Sequence, residues 1–116
     1  MEKLNKYLKA MGDETRFKII NLLLTHNLCV GALAHRLGIS EAAVSQHLQV
    51  LRKAGLVKGE KRGYWTHYSV QRELIVEIAN ELKKLVDQPV INGSFCKKKS
   101  SNEGNCCKEK ENENSR

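Results

Sequence analysis

The stretch from residue 30 to residue 70 constrains the fold most, because it predicts two short helices joined by a tight turn. A stripe with i, i+3, i+4, i+7 spacing predicts the first helix and consists of Val30, Leu33, Ala34 and Leu37. Gly38 stands where a helix often ends with positive φ, and Ser40 is a good N-cap for the next helix. A second stripe, ending before Gly55, consists of Val44, Leu48 and Leu51. This pattern predicts a helix-turn-helix, whose second helix can lie in a DNA major groove.

The side of the second helix opposite its apolar stripe is the candidate DNA-reading surface. Small residues in its first turn allow close approach to the bases, and its serine and glutamines can hydrogen-bond base edges. Its last turn carries basic residues that are better placed for phosphates. The candidate DNA-binding residues of this helix are Ala42, Ala43, Ser45, Gln46, Gln49, Arg52 and Lys53. A solvated face without a ligand is the alternative, and the hairpin that follows argues against it.

A basic β-hairpin is predicted directly after the second helix. Residues 56–60 and 64–70 are expected to form two strands, and Lys61-Arg62-Gly63 the loop between them. From residue 52 to residue 62, five cationic side chains stand against one acid, Glu60. Such a hairpin beside a recognition helix is typical of the wing of a winged helix, which tracks phosphates or enters the minor groove. Its candidate DNA contacts are Lys61, Arg62 and Tyr64. An ordinary charged hairpin tip is the alternative.

Five short segments of the chain, taken in their order and spacing, resemble the ArsR/SmtB family. They are GDETR at 12–16, LGIS at 37–40, VSQHL at 44–48, LRKAGLV at 51–57 and RGYW at 62–65. The resemblance covers roughly residues 4 to 88. It implies a dimeric winged-helix repressor that binds double-stranded operator DNA and releases it on binding metal or metalloid ions or on thiol oxidation.

Three further helices are predicted around this motif. Lys3–Met11 and Glu14–Thr25 precede it, and Glu73–Asp87 follows the hairpin. The second of them is apolar over so much of its circumference that we expect it in the middle of the core. The expected fold is therefore mainly α, a winged helix-turn-helix of order α-α-α-α-β-β-α. Residues 1–89 are expected to form the DNA-binding and dimerisation domain, and residues 90–116 a disordered, cysteine-containing tail, since they hold few apolar residues.

The last predicted helix has a wider apolar surface than a small winged helix buries internally. Its apolar residues are Leu74, Ile75, Ile78, Ala79, Leu82, Leu85 and Val86. In the family that the chain resembles, such a helix pairs with its mate and with the first helix across a dimer axis, so a homodimer is expected. Packing within one subunit is the alternative. A C2 dimer would present two recognition helices to a pseudo-palindromic operator.

The charge of the chain favours a polyanionic partner. The formal net charge is +7, and residues 1–89 alone carry 14 Lys/Arg against 9 Asp/Glu, so the excess is not confined to the tail. No signal-like apolar segment stands at the N-terminus, and no apolar run approaches the about 20 residues that span a bilayer. We expect a cytoplasmic protein that does not associate with a membrane and that has no organic cofactor and no further protein partner.

Three of the four cysteines lie in the tail, at Cys96, Cys106 and Cys107. A structural disulfide is not expected in a cytosolic protein, and the paired CxxC spacing of a structural zinc site is absent from the sequence. Three soft thiolates without a nearby histidine suit a thiophilic ion, and the resemblance implies As(III) or Sb(III) as the inducer. Another soft metal such as cadmium or lead, thiol oxidation or a persulfide switch, and an inert tail remain open.

Cys29 precedes the first helix of the helix-turn-helix, where members of the ArsR/SmtB family often carry two cysteines. Gly31 stands at the second of those positions here, so the ligand set on that helix is incomplete. Cys29 either joins the tail thiols as a metal ligand or fills space in the core. No Cys-His-Asp constellation and no Gly-rich phosphate loop is found, so an enzyme is not expected. A metal-sequestering thiol protein is the alternative from another functional class, although sequestration requires no winged helix.

Overall fold

The computed structural model describes residues 2–91, which form five helices and one two-stranded hairpin. The elements in chain order are α1 (Leu4–Met11), α2 (Glu14–Thr25), α3 (Val30–Leu37), α4 (Glu41–Lys53), β1 (Val57–Arg62), β2 (Trp65–Val70) and α5 (Arg72–Asp87). This order confirms the predicted winged helix-turn-helix. The chain divides into two units, Met1–Val86 and Asp87–Arg116, and the description below concerns the first. The predicted disorder of the tail concerns residues outside the described part.

Side-chain caps mark the starts of α2 and α4, because the first N–H groups of a helix lack partners within it. The Asp13 carboxylate accepts a hydrogen bond from the Arg16 backbone N–H at 3.1 Å and starts α2. The Ser40 hydroxyl accepts one from the Ala43 backbone N–H at 3.0 Å and starts α4. Between α3 and α4, Gly38 has a φ of +71°, a conformation that glycine adopts without steric cost. The predicted helix-turn-helix boundaries are confirmed.

The hairpin turn is tighter than the sequence predicts. Lys61 and Arg62, expected in the loop, are the last two residues of β1, and Tyr64, expected to start the second strand, lies in the turn. Gly63 and Tyr64 alone connect the strands, and Gly63 has a φ of +67°. A two-residue turn with positive φ at its first position follows the right-handed twist of the strands. The turn therefore leaves Lys61 opposite Thr66 in the antiparallel register.

The hydrophobic core lies where α2, α3, α4 and the start of β1 meet. Its most completely buried side chains are Ile19, Leu33, Val44, Leu48, Leu51 and Leu56, each less than 2% exposed. This set confirms that α2 contributes to the centre of the core and that the stripe of the second helix is buried, whereas in the stripe of the first helix Leu33 and Ala34 are buried and Val30 and Leu37 are half-buried. Phe17 is an exception to the expected burial of α2, because it is 52% exposed.

The last helix is anchored at its beginning and exposed at its end. The Arg72 guanidinium donates a hydrogen bond to the Leu24 carbonyl at 2.6 Å, which satisfies a free carbonyl in the last turn of α2. Ile78 is buried against the core, whereas Leu85 further along is 56% exposed. None of the helices within residues 2–91 is long and apolar enough to cross a membrane.

Candidate nucleic-acid interface

Helix α4 presents a polar surface on the side away from the core. Ser45, Gln46, Gln49 and Lys53 are exposed, while the apolar stripe on the opposite side is buried. The Arg52 guanidinium donates to the Gln49 side-chain oxygen at 2.9 Å, so the two side chains are held together one turn apart. Of the remaining predicted contacts on α4, Ala42 and Arg52 are exposed and Ala43 is half-buried. The structure therefore places the predicted reading residues on one accessible surface.

The tip of the hairpin carries the second predicted group of DNA contacts. Lys61, Arg62 and Tyr64 are all exposed, and Tyr64 is 96% exposed at the turn. The Arg62 guanidinium pairs with the Glu60 carboxylate at 3.3 Å, which leaves Lys58 and Lys61 as the cations of β1 outside that pair. Trp65, opposite Arg62 in the register, is 60% exposed although sequence reasoning gave it no role. Exposed aromatic side chains at a wing tip suit contact with sugars and base edges in a minor groove.

The hairpin is joined to the helix-turn-helix by main-chain pairing. Cys29, the residue that precedes α3, forms an antiparallel bridge with His67 in the middle of β2. At the base of the hairpin, the Gln71 backbone N–H donates to the Leu56 carbonyl at 2.8 Å. The bridge therefore ties the wing to the chain that enters α3, the first helix of the helix-turn-helix.

A polar cluster fixes α4 against the first two helices. The Arg16 guanidinium donates to the Ala10 carbonyl at 2.6 Å and lies 3.3 Å from Nδ1 of His47 on α4. The Asp13 carboxylate lies 4.0 Å from the same nitrogen. We call Asp13, Arg16 and His47 the α2–α4 cluster. Sequence reasoning identified Asp13 only as a cap and missed the cluster, although GDETR and VSQHL both belonged to the resemblance.

The Asp13 carboxylate should make the stability of the fold depend on acidity. The hydrogen bond from the Arg16 backbone N–H, together with the charges of Arg16 and His47, holds the pKa of Asp13 below its ordinary value of 3.8. Because the pKa of Asp13 is lower in the folded than in the unfolded state, the ionised carboxylate stabilises the fold. This stabilisation is complete above the pKa of Asp13 in the unfolded chain and is lost as the pH falls through its pKa in the folded protein. We expect Asp13→Ala to have a lower Tm than the natural protein at neutral pH. The difference in Tm between the two proteins should become smaller below pH 3.8.

Thermal melts of both proteins across this range check the prediction. Asp13→Asn is the control, because its side-chain oxygen still accepts from the Arg16 N–H while its charge is gone. A Tm difference between Asp13→Ala and the natural protein that stays constant down to pH 2 would contradict the assignment.

The predicted thiol site lies almost wholly outside the described residues. Cys29 is a free, half-buried thiol at the N-cap position of α3, and its sulfur accepts no capping hydrogen bond from the backbone N–H groups of that helix. Within residues 2–91, no group of three His, Cys, Asp or Glu side chains is arranged to hold a metal ion. Cys96, Cys106 and Cys107 fall beyond the part of the chain that the structure describes. The described domain thus contributes at most one thiol to such a site.

Comparison with known proteins agrees with this geometry. The model of the bacterial regulatory protein arsR family matches residues 13–58, which run from the cap of α2 into β1. An uncharacterized HTH-type transcriptional regulator of Methanocaldococcus jannaschii, MJ1325, is 38% identical over 88 residues, covering 75% of this chain and 94% of that protein. The arsenic resistance transcriptional regulator ArsR1 of Pseudomonas putida is 34% identical over 80 residues, covering 68% of this chain and 62% of that protein.

A solved structure extends the likeness to three dimensions. The ArsR-like transcriptional regulator from Rhodococcus sp. RHA1 superimposes with a TM-score of 0.67 at 30% identity, covering 72% of this chain and 79% of that one. The matched family consists of transcription regulators, and nothing in the described residues points to catalysis. The helix-turn-helix and the basic wing agree with these matches. The chain therefore belongs to the arsR family of bacterial regulatory proteins and is a DNA-binding transcription regulator.

Proposed function

We propose that the protein is a transcriptional repressor that releases its operator when arsenite or antimonite binds the thiolates of Cys96, Cys106 and Cys107. The observation that carries the DNA-binding half is the exposed polar surface of α4 beside a basic wing. The inducer half is supported by three thiols within 12 residues of sequence and by the relative named as an arsenic resistance regulator. Cys29 is a further candidate ligand.

The donor set fits a thiophilic ion better than a hard one. Thiolates are soft ligands, and the lysines that flank these cysteines in the sequence favour the thiolate form. Bound As(III) or Sb(III) would link the sulfurs that hold it. Since Cys29 is the one thiol within the described residues, Cys96, Cys106 and Cys107 supply the majority of the ligands.

Release of DNA requires that the inducer bind the free and the DNA-bound forms with different affinity. Couplings of this kind are typically about 1–3 kcal/mol, or about 5- to 150-fold in affinity. In our proposal the cysteine segment closes around the ion and shifts the dimer towards an arrangement that spans two half-sites poorly. The recognition helices themselves need not change their fold.

Serine substitution at the three cysteines tests the inducer site. We expect Cys96→Ser/Cys106→Ser/Cys107→Ser to bind a labelled promoter fragment as tightly as the natural protein does and to stay bound when arsenite is added. Oxygen is a poorer ligand for soft ions, so arsenite affinity should fall while the DNA surface is intact. Cys29→Ser alone reports whether Cys29 takes part in arsenite binding. Normal arsenite release from the triple variant would overturn the proposed ligand set.

The same titration separates the other effectors. Release by cadmium or lead but not by arsenite would identify another soft metal, and release by a mild oxidant or a persulfide donor would identify a thiol switch. Tight arsenite binding without any binding to promoter DNA would indicate a metal-sequestering protein. Each outcome replaces the arsenite proposal by a specific alternative.

We further propose that the protein acts as a homodimer through the exposed part of α5. Leu82 and Leu85 continue the stripe that begins with Ile78, at i+4 and i+7, yet they are 39% and 56% exposed in the single chain. A contiguous exposed apolar surface on a small protein marks an interaction site. A two-fold dimer presents two copies of α4 to successive major grooves on one side of the duplex.

Charged residues on this surface should separate the subunits. We expect Leu82→Glu/Leu85→Glu to be monomeric in sedimentation analysis and to lose about 10²–10⁴ in affinity for a two-half-site promoter, because the second contact no longer benefits from effective concentration. Val76→Glu is the control: Val76 is also exposed, at 58%, but lies on the opposite side of α5. A double variant that remains dimeric would refute this interface.

A further inference from the structure

A groove that carries basic residues lies between α1 and α4, and Lys53 is the one predicted DNA contact among its lining residues. It has a volume of about 570 Å³ and is lined by residues of both helices and of α2. Lys6, Lys9, Arg16 and Lys53 supply its charge, and none of its lining residues is acidic. Helix α1 has no acidic residue between Leu4 and Met11, so nothing on that helix offsets its lysines. The lining surface itself is mostly apolar, so the positive charge of the groove comes from these four side chains alone.

The groove adjoins the reading surface of α4. Lys53 follows Val44 by nine residues, which at 100° per residue places it on the side of the helix opposite the buried Val44. Lys53 thus belongs to both surfaces, because it also lines the groove. Val50, which is 40% exposed, also lines the groove and lies between Lys53 and the buried side of α4.

The cations of the groove differ in what they can still bind. Arg16 already donates to the Ala10 carbonyl and contacts His47, so it serves the α2–α4 cluster. Among residues 2–91, no hydrogen bond or ion pair involves the side-chain ammonium groups of Lys6, Lys9 or Lys53. All three are exposed, and an ammonium on a flexible stem suits a phosphate as a point charge.

We propose that this groove binds the DNA backbone beside the major groove that α4 occupies, with Lys6 and Lys9 contacting phosphates that neither α4 nor the wing reaches. The proposal rests on DNA binding through α4 and adds α1 to the DNA-contacting elements. Phosphate contacts fix the orientation of a protein on the duplex and carry no sequence information. The groove should therefore strengthen binding to any duplex, whatever its sequence.

Removal of the two α1 charges tests this role. We expect full-length Lys6→Gln/Lys9→Gln to bind promoter and random-sequence duplexes more weakly by the same factor. The slope of log K against log salt should become shallower by about two for each subunit bound, since each lost phosphate contact accounts for about 0.9. The control Lys18→Gln/Lys83→Gln removes the same net charge from exposed positions on α2 and α5 that do not line the groove. For this control variant, the slope of log K against log salt should change by less than about half of the value expected for one lost phosphate contact.

Two results would overturn the proposal. An unchanged slope for Lys6→Gln/Lys9→Gln means that the groove does not contact DNA, and an equal change in the control variant means that only net charge matters. Titration with inorganic phosphate at constant ionic strength separates the sources of the anion. If phosphate binding depends on Lys6 and Lys9 while the DNA slope does not, the groove is a small-anion site. Arsenite release should be the same in both variants, so failure of the inducer proposal leaves this test intact.

Discussion

Gln46→Ala/Gln49→Ala is expected to abolish sequence preference while leaving the protein folded and able to bind DNA non-specifically. Both glutamines lie exposed on α4, and a glutamine that makes two hydrogen bonds to an adenine edge contributes about 1–3 kcal/mol of discrimination. Promoter affinity should thus fall by about 10- to 100-fold for each glutamine, as measured by fluorescence anisotropy. Affinity for a random duplex of the same length should hardly change.

The salt dependence provides an internal check on this prediction. Glutamine is uncharged, so the slope of log K against log salt should be the same in the variant and in the natural protein. Gln49 also accepts the hydrogen bond from Arg52, so Gln49→Ala frees that guanidinium without removing its charge. Gln88→Ala, at an exposed position after α5, is the matched control. An equal loss of affinity for promoter and random DNA would show that the glutamines do not read bases.

Leu48→Ala is expected to produce the largest loss of stability. Leu48 is 1% exposed and lies in the core on the buried side of α4. Removing a buried leucine side chain beyond its Cβ costs about 2–5 kcal/mol, because apolar burial is lost and a cavity remains. For a small domain this is a large part of the total free energy of unfolding, about 5–15 kcal/mol. Urea denaturation followed by circular dichroism measures the change.

Val50→Ala on the same helix distinguishes core packing from helix propensity. Val50 is 40% exposed, so the lost burial is small, and alanine is the better helix former. We expect the free energy of unfolding to change by less than about 1 kcal/mol. If Leu48→Ala and Val50→Ala were equally destabilising, the assignment of α4 faces would be wrong. The DNA surface of α4 would then need to be redefined.

The helix-turn-helix was predictable because its signals are local. Gly38 and Ser40 mark the turn by their own chemistry, and the two stripes specify which sides of α3 and α4 are buried. The hairpin turn was misplaced because its register depends on pairing across the strands. Arg62 and Trp65 close a two-residue turn, whereas residue type alone suggested that the charged pair before Gly63 would be in the loop.

The α2–α4 cluster and the basic groove could not be predicted from the sequence. Arg16 and His47 are 31 residues apart, and their contact depends on how α2 packs against α4. The lysines of α1 likewise meet Lys53 only after the helices have assembled. Sequence periodicity specifies which side of one helix faces the core, but not which neighbour it meets. The role of Cys96, Cys106 and Cys107 as inducer ligands remains a prediction from the sequence.

The hydrogen bond from Arg72 to the Leu24 carbonyl has a mechanical implication. It ties the start of α5 to the end of α2, immediately before the segment that leads into α3. A tilt of α5 would therefore pull on the chain entering the DNA-binding motif, because the two helix ends cannot separate without breaking a charge-assisted bond. In the proposed homodimer, an inducer that tilts α5 would therefore change the distance between the two recognition helices without touching the bases.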